Sequence, residues 1–176
     1  MNEIKLYDEK VFLRAPEPED ISAMYDWEND AEVWSMGNQP SLFSRKNIAD
    51  FVNNYDADIY ATKQLRFIVC ERESGKSIGT VDLYDFDPVN RRAAVGILID
   101  RGYRRQGYAS DALSIIEGYC SDRLGLHQIW AIVASGNVPS RRLFENSGYN
   151  ITGCLKSWVR YGSGYADAYL YQKLFP

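Results

Sequence analysis

Hydrophobic and polar positions along this chain alternate between two rhythms. Ala93, Ala94, Val95, Gly96, Ile97, Leu98 and Ile99 form an almost continuous apolar run of strand length. After a polar stretch containing glycine, Ala112, Leu113, Ile116, Tyr119 and Cys120 recur at helical spacing, which predicts a helix from near Ser110. Val11, Phe12 and Leu13 with Arg14 predict a first strand, closed by Pro16 and Pro18. Glu19 and Asp20 then open a helix carrying Ile21, Met24, Tyr25 and Trp27, with acidic residues at the end the helix dipole prefers. Ile48, Phe51, Val52 and Tyr55 give a second helix across 44–55, and residues 66–70 and 77–84 read as strands joined at Ser74 and Gly75. A short strand at 129–133 is followed by a helix that Pro139 can start and Gly148 can end. Between Gly153 and Leu174, two aromatic-rich runs flank Gly162, Ser163 and Gly164, the pattern of a hairpin. Strands interleaved with helices place the chain in the α/β class.

The segment between the long apolar strand and its helix carries the clearest chemistry. Arg104, Arg105, Gln106, Gly107, Tyr108 and Ala109 join a strand end to a helix start. The first backbone N–H groups of a helix have no partner within it, and the dipole makes that end positive, so such a loop can cradle a phosphate. Gly107 lets the main chain approach without a Cβ in the way. The glycine spacing fits neither a P-loop nor a dinucleotide fingerprint.

Some thirty residues on, Asn137, Ser140, Phe144, Gly148 and Tyr149 stand in a second ordered segment. Together the two segments resemble the GNAT superfamily of N-acetyltransferases. The first family pattern, Arg/Gln-x-x-Gly-x-Gly/Ala, is met by Arg104, Gly107 and Ala109. The second is met by Asn137, Ser140, an aromatic at Phe144, then Gly148 and Tyr149. The match is motif-specific over 92–149. Residues 162–167 also look like the end of polyamine and ribosomal-protein acetyltransferases, the spermidine/diamine and ribosomal-protein-alanine branch. The resemblance implies one domain over 1–176, with a mixed, mostly antiparallel twisted sheet, flanking helices and a C-terminal β-hairpin.

It also implies acetyl-CoA as co-substrate. The pyrophosphate would lie on the 104–109 loop, with Arg101 and Arg142 as outer phosphate partners. The pantetheine arm would run beside Ile97, Leu98 and Ile99 like an added strand, with Asn137, Ser140 and Phe144 completing the cofactor contacts. A backbone N–H near Leu98 would stabilise the oxyanion. Gly96 is consistent with a bulge or splay in that strand, or with a glycine that only relieves crowding. Many relatives carry a Glu base where this chain has Ala94, so that role does not transfer. Holding an alkylamine of pKa about 10 neutral at pH 7 costs about 4 kcal/mol without a base or desolvation. Asp82 and Tyr84, on one face of the preceding strand, can act directly or through water; Asp82 can equally be a structural carboxylate paired to Arg91 or Arg92. The usual general acid is a Tyr at the position of Phe144, a loss worth about 10²–10⁴-fold; Tyr108, Ser140 and Tyr161 are the available substitutes.

Composition narrows the acceptor. The chain of 176 residues has a net charge of −4, and residues 1–60 hold thirteen acidic against five basic side chains. Glu28 and Glu32, with Asp26 and Asp30 beside them, are candidates for binding a polycationic amine. Three functions follow: acetylation of a polyamine or diamine, acetylation of a protein N-terminus, and a catalytically silent CoA-binding module. An acidic chain without a basic stripe speaks against nucleic acid, and no apolar run reaches bilayer length, so no membrane partner and a cytoplasmic location are expected. A homo-oligomer is compatible with the pattern. Cys70, Cys120 and Cys154 lack metal or redox spacing and are expected to be reduced. His127 stands alone, which leaves no His-based metal site or Ser-His-Asp triad and makes it a turn residue before the strand at Ile129.

Overall fold

The computed structural model describes residues 5–32 and 41–176. In chain order the main elements are β1 (Val11–Arg14), α1 (Ile21–Glu28), α2 (Arg45–Asn53), α3 (Ile59–Thr62), β2 (Leu65–Glu71), β3 (Ser77–Asp87) and β4 (Arg92–Ile99). They continue with α4 (Tyr108–Gly118), β5 (Gln128–Ala134), α5 (Val138–Asn146), β6 (Asn150–Tyr161) and β7 (Gly164–Leu174). The strands hydrogen-bond in the order β1-β2-β3-β4-β5-β7-β6. This is the mixed, mostly antiparallel sheet with flanking helices and a terminal hairpin that the sequence led us to expect. No helix among the described residues is long and apolar enough to cross a membrane.

The chain divides into two compact units, each assembled from separated segments. In the first (1–16, 55–130, 174–176), β1 to β4 form an antiparallel series and β5 begins parallel to β4. Helix α4 packs on β1, β3 and β4 and buries Ala112, Leu113, Ile115 and Ile116. Removing each large aliphatic side chain from water contributes about 1.5–3 kcal/mol. Of the bulge or splay read at Gly96, no bulge against β3 occurs there: register runs unbroken from Gly79↔Ile99 to Tyr84↔Ala94, the irregularity lies beyond Tyr84, where Asp85 has φ 50°, and the pairing of β4 with β5 ends at Ala94. Because β1 covers only Ile68 to Glu71 of β2, the Arg66 backbone lacks a strand on that side. Tyr55 fills the gap, its hydroxyl donating to the Arg66 carbonyl at 2.8 Å and accepting from the Arg66 N–H at 2.9 Å. Helix α3, a single turn capped by Asp58, has too few residues for periodicity to reveal.

In the second unit (17–54, 131–173), α1 packs on α2, whose start is fixed by the reciprocal Ser44 and Asn47 capping box. Strands β6 and β7 pair from Asn150↔Gln172 to Tyr161↔Gly164 across the expected turn. An irregularity between Leu155 and Val159 leaves Ser157 at φ 50°, and its N–H donates to Asp167 at 2.9 Å.

Candidate functional site

In the first unit, the antiparallel series brings the end of β4, the start of β1 and the start of α4 to one end of the sheet. Asp100 receives the Gly102 N–H at 2.8 Å and turns the chain through residues 101–103. Arg105 at φ 64° and Gly107 at φ 90° then take left-handed conformations, and α4 starts at Tyr108, two residues earlier than periodicity predicts. Gly107 is the N-cap and has no side chain with which to accept a first-turn amide, so this helix start is not capped by its own N-cap residue. These features fit a pyrophosphate. The loop side chains, however, mostly do other work. Arg104 Nε donates to the Ile99 carbonyl at 2.9 Å, tying the loop to the strand it leaves. Gln106 reaches the Gly102 carbonyl at 3.4 Å. Tyr108 donates its hydroxyl to Glu71 at 2.5 Å, and that bond raises its pKa; a second hydroxyl, from Ser74, reaches the other Glu71 oxygen at 2.5 Å. Arg101 and Arg105 are exposed on the loop, and Ala109 is half-buried in the first turn of α4.

The β4 edge bears on one expectation. Asp100 N–H donates to the Ile78 carbonyl at 2.7 Å, so residues two and four back along β4, Leu98 and Gly96, also turn their backbone groups toward β3. A Cβ built on Gly79 would stand 2.1 Å from the Leu98 carbonyl oxygen, which confirms that orientation. Leu98 N–H therefore turns into the ladder with β3 and away from the β5 side of the strand. The alternation presents Val95, Ile97 and Ile99 on the opposite edge, where β5 pairs only as far as Ala94. Beyond the exposed Arg92, Gly96, Ile97 and Leu98 are the part-exposed residues of a strand whose other positions are buried.

Asp82 and Tyr84 share a face with Gly96, as expected. Asp82 is held by Arg66, Nε to Oδ1 at 2.6 Å and Nη2 to Oδ2 at 3.1 Å, rather than by Arg91 or Arg92. Arg91 binds the Gly125 carbonyl, and Arg92 pairs with Asp87 at 3.2 Å. Tyr84 is 37% exposed. Its ring edge would lie 3.5 Å from a Cβ at Gly96 and meets Trp130 edge-on at 6.3 Å. Burial, then the charges of Asp85 and Asp82, raise the phenol's pKa, so at neutral pH it is a proton donor and not a base.

In the second unit, Asn137 is the N-cap of α5, its Oδ1 accepting the Ser140 N–H at 3.2 Å. Phe144 is 2% exposed, edge-on to Tyr149 at 4.9 Å and stacked on Tyr171 at 5.9 Å. It is a core residue. Arg142 is exposed, whereas its neighbour Arg141 bonds the Ser135 carbonyl and the Tyr171 hydroxyl. Glu28 closes α1 and Glu32 follows it, both half-buried, with the Glu32 N–H on Asp30 at 2.9 Å. The side chain of Tyr161 lies outside what the structure describes. Sequence reasoning missed Lys10, whose ammonium donates to the Gln106 carbonyl at 3.0 Å across 96 positions of chain. It missed the Arg66 partner of Asp82 as well, although the two residues sit opposite each other on adjacent predicted strands.

A family model described as an acetyltransferase (GNAT) domain matches residues 10–150. The spermidine N(1)-acetyltransferase of Escherichia coli K12 is 27% identical over 144 residues, 81% of this chain and 74% of that protein. The crystal structure of Vibrio cholerae spermidine N-acetyltransferase with CoA and spermine superposes with a TM-score of 0.84 at 24% identity, covering 93% of this chain and 95% of that one. RimL, a ribosomal L7/L12 alpha-N-protein acetyltransferase in complex with CoA, gives a TM-score of 0.85 at 16% identity, covering 98% and 97%. At these identities the two structures share a fold with this chain.

Proposed function

This chain belongs to the GNAT acetyltransferases and is an acetyl-CoA-dependent N-acetyltransferase, and we propose that its acceptor is a primary amine of a polyamine or diamine in the cytoplasm. The observation that carries this acceptor is the likeness to a spermidine acetyltransferase along most of the chain. The half-buried carboxylates Glu28 and Glu32 support it, because partial burial strengthens their pull on an ammonium.

In the reaction the amine nitrogen attacks the thioester carbonyl, the carbon–sulfur bond breaks, and a proton passes from the amine to the departing thiolate. In our reading the edge N–H groups of β4, Ile97 foremost, hold the pantetheine arm and the oxyanion in place of Leu98. The neutral phenol of Tyr84 stands on the acceptor face as a hydrogen-bond donor. Asp82, oriented by Arg66, takes up the amine proton directly or through water and releases it toward the departing thiolate.

The acceptor is tested with Glu28→Gln combined with Glu32→Gln. KM for spermidine should rise about tenfold at low salt and less at high salt, with acetyl-CoA affinity unchanged. Unchanged spermidine kinetics, or a wild type that acetylates Ser- or Ala-initiated peptides and ignores polyamines, would replace this acceptor with a protein N-terminus. A wild type that binds CoA and acetylates nothing would leave a silent CoA-binding module.

A further inference from the structure

We propose that Lys10 is a binding residue for the pyrophosphate of acetyl-CoA, a cation that the start of β1 delivers to the uncapped start of α4. The inference rests on the acetyl-CoA assignment and concerns a residue outside both sequence motifs. The Lys10 backbone is fixed: its carbonyl accepts the Arg72 N–H at 2.8 Å, and the tight turn before it is closed by Asp8 N–H on the Val11 carbonyl at 2.8 Å. From that anchor the ammonium reaches the Gln106 carbonyl at 3.0 Å and lies 2.9 Å from where a Cβ of Gly107 would stand. It is thus seated on the residue that begins the helix.

Two facts make the placement informative. Lys10 forms no ion pair among the described residues; Asp111, a turn into α4, feels its charge only at a distance. The position is also electrostatically adverse, because the positive end of a helix repels a cation. Asp111 in the first turn offsets part of that repulsion, and an anion on the first-turn amides removes the rest and gives the ammonium a directly bonded counter-charge. A diphosphate does so with charge to share between the amides and the ammonium. The single hydrogen bond to Gln106 leaves the remaining ammonium protons to donate.

Lys10→Met and Lys10→Arg in the full chain test this by calorimetric titration with CoA, 3′-dephospho-CoA and pantetheine at two salt concentrations. Lys10→Met should bind CoA and 3′-dephospho-CoA about tenfold more weakly, with a flatter salt dependence, and Lys10→Arg should recover most of the loss. Pantetheine, which lacks the pyrophosphate, should bind both variants as it binds wild type. An unchanged CoA affinity in Lys10→Met overturns the proposal. An equal loss for pantetheine overturns it too, showing that Lys10 only shapes the loop. So does a loss confined to CoA over 3′-dephospho-CoA, which assigns Lys10 to the 3′-phosphate. A wild type that binds no CoA at all would instead strike the assignment on which the proposal rests.

Discussion

Two helices of this molecule each follow a strand through a short loop, and they begin in opposite ways. Helix α4 starts from Gly107, which has no side chain to offer its own first turn. Helix α5 starts from Asn137, which accepts the Ser140 N–H and so satisfies part of its own first turn. The first start is chemically open and the second is largely self-contained. The spacing from Asn137 to Ser140 is that of an N-cap to its third residue, the geometry any Asn cap would choose. A motif can therefore be equally legible at two places while leaving one helix start open and closing part of the other with its own side chain. Phe144 extends the contrast: the aromatic at the usual general-acid position is held among Tyr149 and Tyr171 in a core.

The largest expected effect comes from closing the open start. Gly107→Glu forces an L-residue into φ 90°, drives a Cβ against Lys10 and sets a carboxylate where we propose the phosphate binds. A ligand at a hundredfold its Kd stabilises a fold by about 2.7 kcal/mol, and this variant should show no such rise in Tm with acetyl-CoA. A normal rise would mean that the two helix starts do not differ in the way described.

A smaller effect is expected at the self-contained start. Asn137→Ala should lower stability by about 0.5–2 kcal/mol, the usual worth of a cap, and Asn137→Ser should restore most of it. Urea unfolding measures both. If alanine leaves stability intact and weakens CoA binding tenfold, Asn137 is a ligand group first and the contrast between the helices disappears.

The smallest effect concerns what braces the open loop. Hydrogen bonds from Ser74 and Tyr108 hold the Glu71 pKa below the usual carboxylate range. A depressed folded value contributes stability that is present above the unfolded pKa and lost as pH falls through the folded one. Tyr108→Phe should raise the Glu71 pKa in an NMR titration, lower stability slightly at neutral pH and make the further loss of stability on acidification smaller. A Glu71 titration unaffected by the change would show that Ser74 alone sets it.

How much of this was legible in the sequence follows from how local each feature is. Strands β1 to β5 and the hairpin were readable because a few successive residues carry their pattern. The Gly107 loop was readable because strand, glycine and helix adjoin. Helix α3 was not, since four residues show no period. The oxyanion donor was placed only near Leu98, because sequence fixes which face a strand residue takes and says nothing of which neighbour receives its N–H; that depends on register with β3. Lys10 and Gln106 stand 96 residues apart, and no local rule joins them. Asp82 was placed on the correct face yet given the wrong arginine, because Arg66 becomes its neighbour only through cross-strand pairing.

The phenol of Tyr55 has a consequence for life in a crowded solution. A strand flank that shows an unanswered N–H and C=O side by side is a template on which a foreign chain can extend the sheet. Both groups of Arg66 are answered by one hydroxyl, from a residue that belongs to no strand. Side-chain chemistry thus seals the flank where β1 stops short, and the protection against runaway pairing costs no additional strand.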